Sequence, residues 1–404
     1  MTGAVRVTVN GRSYEVPRQP VVGVCIDGCD PAYLEAAAGV MPELARLASD
    51  GARGTARTVV PSFTNPNNAS IATGAPPAVH GIPGNYYYDR DSGEEVMMND
   101  PRWLRCPTVL AGFAGAGVEV AVVTAKDKLL AFLSEGLPGR CFRLSVEKAG
   151  DDGAGLVGRP APGIYDPEAS VYCLEAGACL LERGGPLVTY LSTTDYVQHR
   201  FAPEEPEAIA FHARLDAVLG RLHRAGAVVA VTADHGMNAK TRRDGSPKVE
   251  YLESLLKEEG VAGAQVILPI TDPYVVHHGA LGSYATVYVE PEGLERAARV
   301  LGEVPGVEAV HPREEAAGLY ELPPDRIGDL VVLADRGTVL GRTPEWHDLS
   351  HVSEGLRSHG GLHEAAVPFV VNRPLRGETA EALERGELRN YDLFDVLCNG
   401  VRGP

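Results

Sequence analysis

Aromatic side chains and paired cysteines are scarce in this chain of 404 residues. Phe, Trp and Tyr together make up 6% of it, so few rings are available to line a pocket for a large flat ligand. The seven cysteines are an odd number and form no Cys-x-x-Cys motif, which argues against a disulfide framework and against a thiolate zinc site. We therefore expect buried, free thiols.

Long apolar runs and excess positive charge are also missing. No stretch approaches the roughly 18 consecutive apolar residues of a membrane span, and Met1–Arg6 lacks the features of a secretion signal. The 54 acidic residues outnumber the 37 basic ones, giving a net charge of -17, which opposes binding to nucleic acid and to anionic membranes. We expect a soluble cytoplasmic protein that binds neither. The oligomeric state stays open, with a homodimer as one option.

Short apolar runs alternate with helical patterns along the chain. The runs cover residues 20–26, 118–124, 187–191, 227–232 and 367–371. Apolar strands separated by helices predict an α/β fold, with a mostly parallel sheet sandwiched by helices. Asn10-Gly11 between two short alternating runs predicts a small hairpin before this sheet. The glycine-rich and proline-rich stretch 150–163 predicts a mobile loop.

Residues 243–345 show a different pattern. Here a strand at 284–289, an amphipathic helix at 294–302 and a strand at 307–310 follow one another, and a further strand covers 329–333. We interpret this stretch as a smaller α+β cap domain. It would be inserted into a catalytic core that consists of residues 1–242 and 346–404.

Carboxylates and histidines follow three of the predicted strands. Asp27 follows the first, Asp195-x-x-x-His199 follows the third, and Asp234-His235-Gly236 follows the fourth. Strand ends on one edge of a parallel sheet converge, and oxygen and imidazole ligands suit zinc or a similar divalent ion. Each motif also has a simpler explanation, as a helix cap or an exposed ion pair. Their recurrence on one presumed sheet favours a two-metal site.

A candidate nucleophile lies at a predicted helix start. Thr64 stands at or near the N-cap of a helix with Pro66 in its first turn. Free backbone N–H groups and the positive helix end there favour an alkoxide and a phosphoryl anion. Thr64 could also serve only as a helix cap.

Together these motifs resemble the alkaline phosphatase superfamily, and most closely its phosphonoacetate hydrolase branch. The resemblance covers about residues 10 to 372. The motifs that carry it are Asp27, Thr64–Asn67, Asp195–His199, Asp234–Gly236 and Ser358–Gly361, with closer similarity in segments 61–68, 74–81, 123–128 and 270–279.

The resemblance implies two zinc ions per chain. One would be held by Asp27, Thr64, Asp234 and His235, and the other by Asp195, His199 and His359. It is the resemblance, and not spacing, that selects His359 among twelve histidines. On helical spacing His363, four residues later, could compete for this role; the resemblance favours His359 as the ligand and leaves His363 a supporting or surface role.

The resemblance also implies substrate-binding roles for Asn85, Lys126 and Lys128, although two lysines after a strand are usually solvated charge. The implied reaction cleaves the carbon–phosphorus bond of phosphonoacetate to acetate and phosphate, through a phosphothreonine on Thr64. The alternative is a nucleotide pyrophosphatase or phosphodiesterase of the same superfamily, for which Tyr86-Tyr87-Tyr88 could line a pocket. A non-catalytic protein with structural metals is a third possibility, although such zinc sites are usually closed by Cys and His.

Overall fold

The structure is a computed structural model that describes residues 5–271, 279–350, 352 and 355–402. Within these ranges the strands are β1 (Arg6–Val9), β2 (Arg12–Glu15), β3 (Val21–Cys25), β4 (Ala52–Arg57), β5 (Tyr86–Asp89), β6 (Glu94–Met97), β7 (Val120–Thr124), β8 (Phe142–Ser145), β9 (Val188–Ser192), β10 (Val228–Thr232), β11 (Asn238–Ala239), β12 (Val249–Tyr251), β13 (Gln265–Ile267), β14 (Tyr284–Tyr288), β15 (Val307–Pro312), β16 (Leu330–Ala334), β17 (Val339–Gly341), β18 (Arg357–Ser358) and β19 (Ala366–Val371). The α-helices are α1 (Pro31–Ala36), α2 (Pro42–Asp50), α3 (Thr64–Thr73), α4 (Pro77–His80), α5 (Val109–Gly115), α6 (Asp127–Leu133), α7 (Gly150–Val157), α8 (Glu168–Glu182), α9 (Tyr196–Arg200), α10 (Pro206–Arg224), α11 (Leu252–Glu258), α12 (Leu294–Gly302), α13 (Arg313–Tyr320), α14 (Gly377–Glu384) and α15 (Leu393–Asp395).

The central sheet has seven strands in the order β4-β19-β10-β3-β9-β7-β8. The five strands from β10 to β8 are parallel, whereas β19 runs antiparallel to both β10 and β4. Every residue of β3, β7, β9 and β10 is buried, as expected for strands covered on both faces. The prediction of a mostly parallel sheet is confirmed, and all five predicted apolar runs are strands of it.

Helices cover the sheet on both faces, as the side chains of β9 illustrate. Successive residues of a strand point to opposite faces. The hydroxyl of Tyr190 donates to Asn68 of α3 at 2.8 Å, whereas Leu191 lies against Gly177 of α8. The helices α3 and α8 therefore lie on opposite sides of the same strand.

A second, four-stranded antiparallel sheet has the order β13-β14-β16-β15. Helices α11, α12 and α13 pack on it, and its apolar residues form a separate core cluster that includes Leu256, Val287, Leu301 and Val332. The strand–helix–strand pattern predicted for residues 284–310 and the strand predicted near 329–333 are present. The division into a core and an inserted cap remains an interpretation.

The predicted mobile loop at 150–163 is wrong at its beginning. Residues Gly150–Val157 form α7, which packs against α8 and buries Leu156. Gly153 explains the close approach, because a Cβ added there would lie 2.9 Å from the hydroxyl oxygen of Tyr172. One of the glycines that suggested a loop, Gly153, thus permits helix packing.

The predicted N-terminal hairpin is present as β1 and β2. Its turn residues Asn10 and Gly11 have φ values of 51° and 80°, the left-handed conformation that a two-residue hairpin turn requires. The hairpin packs beside the C-terminal part of the chain, where the Glu15 N–H donates to Asn399 Oδ1 at 3.0 Å and Arg12 pairs with Asp392 at 2.6 Å.

The structure also bears on the predictions of free cysteines and of no membrane-spanning segment. All seven cysteines are unpaired, which confirms the expectation of free thiols; five are buried, whereas Cys106 and Cys179 are only partly buried. Among the helices in the described ranges, none is long and apolar enough to cross a bilayer.

Candidate metal centre

Three aspartates converge at one edge of the central sheet. Asp27 follows β3, Asp195 follows β9, and Asp234 follows β10, and β3 lies between the other two strands. All three side chains are buried. The register of the parallel strands thus brings together residues that are about 200 positions apart.

Two groups of possible metal ligands lie in this cluster. Asp195, His199 and His359 form one, and Asp27, Asp195 and His235 form the other. Within each group the potential ligand atoms lie within 4.8 Å of one another. For example, His199 Nε2 is 3.0 Å from Asp195 Oδ2, and His235 Nε2 is 3.1 Å from Asp27 Oδ1.

The three histidines are all held in the same way. Each Nδ1 lies 2.8 Å from a backbone carbonyl oxygen: that of Arg357 for His199, Gly236 for His235 and Ser62 for His359. A carbonyl can only accept, so in the neutral ring the proton is on Nδ1 and the lone pair is on Nε2. This is the arrangement in which imidazole ligates a metal through Nε2.

Asp27 supplies a second observation that fits a cation. Both of its carboxylate oxygens are buried, and neither has a hydrogen-bond partner among the described residues. The Nζ of Lys126 is 3.7 Å from Asp27 Oδ2 and 3.2 Å from Asp195 Oδ1. A buried carboxylate is costly unless it is paired or coordinates a metal, so the residues present fit divalent cations.

Asp234 is positioned differently from the other two aspartates. Its Oδ1 accepts from the N–H groups of Gly28 and His235, and its Oδ2 accepts from Asn68 Nδ2 at 3.0 Å. Burial and the charge of Asp27 raise the pKa of Asp234 well above its ordinary value. Asp234 borders the two ligand groups and is a member of neither.

The surroundings raise the pKa of one histidine of the cluster and lower that of another. Burial lowers the pKa of His235, but the carboxylates of Asp234 and Asp27 outweigh it and raise this pKa to about 9. Burial and the neighbouring His235 and His199 hold the pKa of His359 well below its usual value. The rings of His235 and His359 are stacked, with centroids 3.5 Å apart and planes 2° apart.

Thr64 lies beside this cluster as the first residue of α3, since the N-cap is Phe63. Its Oγ1 is 3.2 Å from His235 Nε2. The side chain is therefore near the candidate metal ligands and at the positive end of a helix whose first N–H groups have no partner within the helix. The predicted helix start at Thr64 is correct to within one residue.

Asn68 is a residue of this region that the sequence analysis did not single out. Its Nδ2 donates to Asp234 Oδ2 at 3.0 Å and to the carbonyl of Thr64 at 3.1 Å, and its Oδ1 accepts from Tyr190 and Ser192. It therefore links the first turn of α3 to Asp234. The sequence carries no signal that separates it from Asn67, its neighbour in α3, which is equally buried.

The other predicted site residues lie in different positions. Lys126 contacts the aspartates, and Lys128 lies in the first turn of α6. The amide of Asn85 donates to the carbonyl of Thr271 at 3.1 Å, at the beginning of a segment whose residues 272–278 are outside the described ranges. His363 is exposed, pairs with Glu308 at 2.8 Å and belongs to neither ligand group.

The central sheet is mostly parallel and lies between helices, and buried carboxylates and imidazoles lie beside a threonine at a helix start. These features define an alkaline-phosphatase-like protein of the metallo-phosphoesterase type. The sequence model of the family described as type I phosphodiesterase / nucleotide pyrophosphatase matches residues 21–362. The chain belongs to this family, which is part of the alkaline phosphatase superfamily.

The chain is similar over nearly its whole length to two crystal structures of phosphonoacetate hydrolase from Sinorhizobium meliloti 1021. The complex with phosphonoformate shares 50% identity with it and the complex with phosphonoacetate 49%; each has a TM-score of 0.92 and is matched over 98% of this chain and 99% of that chain. Murine ectonucleotide pyrophosphatase / phosphodiesterase 5 shares 19% identity over 96% of both chains, with a TM-score of 0.65, which shows the fold alone. These findings confirm the resemblance indicated by the motifs.

Proposed function

We propose that the protein hydrolyses the carbon–phosphorus bond of phosphonoacetate to acetate and phosphate, at a site that holds two zinc ions. The observation that carries this proposal is the 50% identity, over 98% of the chain, to a phosphonoacetate hydrolase. The buried aspartates and histidines beside Thr64 support it, because such ligands suit a catalytic metal site better than a structural one.

Seven residues would hold the metals. Asp27, Thr64, Asp234 and His235 would bind one ion, and Asp195, His199 and His359 the other. The second set coincides with one of the two ligand groups in the structure, and Asp195 is shared with the other group. Bound zinc would favour the ionised hydroxyl of Thr64 and neutralise charge on the phosphoryl oxygens.

Thr64 would act as the nucleophile. Its Oγ1 attacks phosphorus and forms a phosphothreonine, while the carbon–phosphorus bond breaks and its electron pair goes to the methylene carbon. The substrate carboxylate delocalises that charge, and the methylene carbon takes up one proton. This uptake balances the proton that the Thr64 hydroxyl loses. Water then attacks the phosphothreonine, which releases phosphate and restores the hydroxyl.

Cationic and amide groups would hold the substrate. Lys126 is already within 4 Å of two carboxylates of the centre, and Lys128 lies one residue into α6. In a chain with a net charge of -17, these lysines would supply the local positive charge that a multiply anionic substrate requires. Asn85 would contribute its side-chain amide.

The first test combines metal content with phosphate release. Purified protein should contain about two zinc ions per chain and should release phosphate from phosphonoacetate. Chelation should abolish this release, and added zinc should restore it. A protein that binds zinc but releases no phosphate would contradict the proposed reaction.

Replacement of the nucleophile gives a sharper test. Thr64→Ala should lower phosphate release on the order of 10³-fold or more, because the remaining six ligands still bind metal but no oxygen is left to attack phosphorus. Thr64→Ser keeps the hydroxyl and should retain measurable turnover. Wild-type rates in Thr64→Ala would remove Thr64 from its role.

The phosphodiesterase alternative has weaker support. The rings of Tyr87 and Tyr88 pack against Trp103 and Tyr288, so both already contribute to packing around the β5–β6 hairpin. Comparing phosphate release from phosphonoacetate with nitrophenol release from a nitrophenyl phosphodiester separates the two activities. The cytoplasmic location and a homodimer stay predictions, which cell fractionation and sedimentation would test.

A further inference from the structure

Glu364 and Lys240 form a fully buried ion pair outside the predicted ligand set. Their side chains are both 0% exposed, and Lys240 Nζ lies 2.9 Å from Glu364 Oε1. Lys240 also donates to the carbonyl of Arg336 at 2.8 Å. Neither residue belongs to the proposed catalytic machinery.

Glu364 contacts both of the loops that carry stacked histidines. Its Oε2 accepts from the Gly361 N–H at 3.0 Å, two residues after His359. Its backbone carbonyl accepts from the Gly236 N–H at 2.8 Å, next to His235. One residue therefore joins the two loops on which the parallel imidazoles are mounted.

The backbone packs tightly around Glu364. A Cβ added at Gly361 would lie 3.3 Å from Glu364 Oε2, and one added at Gly236 would lie 3.3 Å from the carbonyl oxygen of Glu364. Asn238 completes the enclosure, since its Nδ2 donates to Glu364 Oε1 at 2.6 Å and its Oδ1 accepts from Arg336. Both oxygens of the Glu364 carboxylate are thus held by hydrogen bonds.

Stability alone does not explain this pair. Taking two charges out of water costs free energy that their attraction often only offsets, and apolar replacements of a buried pair are frequently neutral or stabilising. The positions that such a pair imposes on its neighbours are therefore a better explanation of its role than its contribution to stability. Here Glu364 contacts the two loops that carry the candidate zinc ligands His235 and His359, and it sets the distance between them.

We propose that Glu364, held in place by Lys240, is a positioning residue that fixes the spacing of His235 and His359 and hence of the two metals. This inference rests on the proposed two-metal function. The stacked rings would keep the two Nε2 atoms side by side, each directed to its own ion. Without its carboxylate, residue 364 would lose the contacts to Gly361 and to Asn238, and only its backbone bond to Gly236 would remain.

The test uses the full-length zinc-loaded protein, with zinc affinity measured by competition against a chelator. Glu364→Gln should weaken binding of the less tightly held zinc about 10-fold to 100-fold, because an amide cannot accept from Gly361, Asn238 and Lys240 at once. At saturating zinc, kcat should fall about tenfold while KM stays within about twofold. Lys248→Met, which breaks a partly exposed pair with Asp335, is the control and should behave as wild type.

A double variant separates positioning from stability. Glu364→Gln alone should lower the melting temperature, because it leaves the buried charge of Lys240 without its partner. Lys240→Met with Glu364→Gln removes both charges, so the melting temperature should return close to the wild-type value while zinc affinity and kcat remain low. Recovery of all three would overturn the inference, as would wild-type zinc affinity in Glu364→Gln. If Glu364→Gln does not fold, Asn238→Ala should weaken zinc binding in the same direction, and unchanged affinity there would overturn it. A wild-type protein without zinc would overturn the proposed function as well.

Discussion

Two buried histidines outside the metal centre are held neutral by their surroundings. His80 Nδ1 accepts from the Ile82 N–H, so its Nε2 carries the proton and donates to Ser70 at 2.8 Å. His212 donates from Nδ1 to the carbonyl of Ala208. Burial lowers the pKa of His80 to about 3 and that of His212 to about 4.

These histidines predict a loss of stability in acid. Both folded-state pKa values lie below the unfolded value of about 6.5, so the unfolded chain takes up these protons first. Stability is then fully present above pH 6.5 and falls as the pH is lowered towards the folded-state values, by about 1.4 kcal/mol per pH unit for each histidine.

Comparison with His212→Asn isolates one of these contributions. Denaturant unfolding of wild type and variant should give a smaller difference in stability at pH 5 than at pH 7, since the variant has lost one titrating group. Effects of acid on metal binding are common to both proteins. Parallel pH dependences would contradict the assignment.

At the level of elements, the loop that follows β18 depends on one glycine. Gly360 has a φ of +115°, and a Cβ added there would lie 2.1 Å from a ring carbon of Phe63. The same phenylalanine contacts the ring of His359 edge to face. The loop can thus place His359 only if residue 360 has no side chain.

Gly360→Ala and Gly302→Ala should therefore have opposite effects. The first should destabilise the protein by more than about 1 kcal/mol and lower phosphate release, because His359 is displaced. The second places a methyl group in open space at the end of α12 and should stabilise it by about 0.5 kcal/mol. Thermal melting and phosphate release check both, and equal effects would refute the steric argument.

The elements that the sequence predicted best are those with a strong local pattern. Fully buried strands such as β3 and β10 appear as continuous apolar runs, and the Asn10-Gly11 turn is locally encoded. The loop prediction for the stretch at Gly150 was wrong because Gly153 allows close packing against Tyr172 of α8, which no local pattern reveals. Likewise, the antiparallel direction of β19 depends on how the chain returns to the sheet.

For the whole molecule, the sheet depends on a strand from the last tenth of the chain. β19 lies between β10 and β4. Until residues 366–371 are in place, β4 has no partner in the sheet and β10 is paired on one side only, with β3. A chain that ends after Ala365 should therefore expose two sheet edges and aggregate. Size-exclusion chromatography and circular dichroism would check this, and a folded monomer would contradict it.

The candidate site was only partly predictable because its members come from different levels of organisation. Asp27 and Asp234 follow strands and could be found from local sequence. His359 lies in a loop that follows the second sheet in the sequence, and only a family resemblance selected it. Glu364 and Lys240 are 124 residues apart, and their pairing has no signature in the sequence.

The contact between the first hairpin and Asn399 has a consequence for engineering. Because Ser13 and Glu15, close to one end of the described chain, are hydrogen-bonded to Asn399, close to the other, a short peptide could join the two ends, and a new start could be opened in the exposed turn at Asp244. Such a circular permutant would begin its translation with the second sheet and would complete the strands that bear the aspartates last.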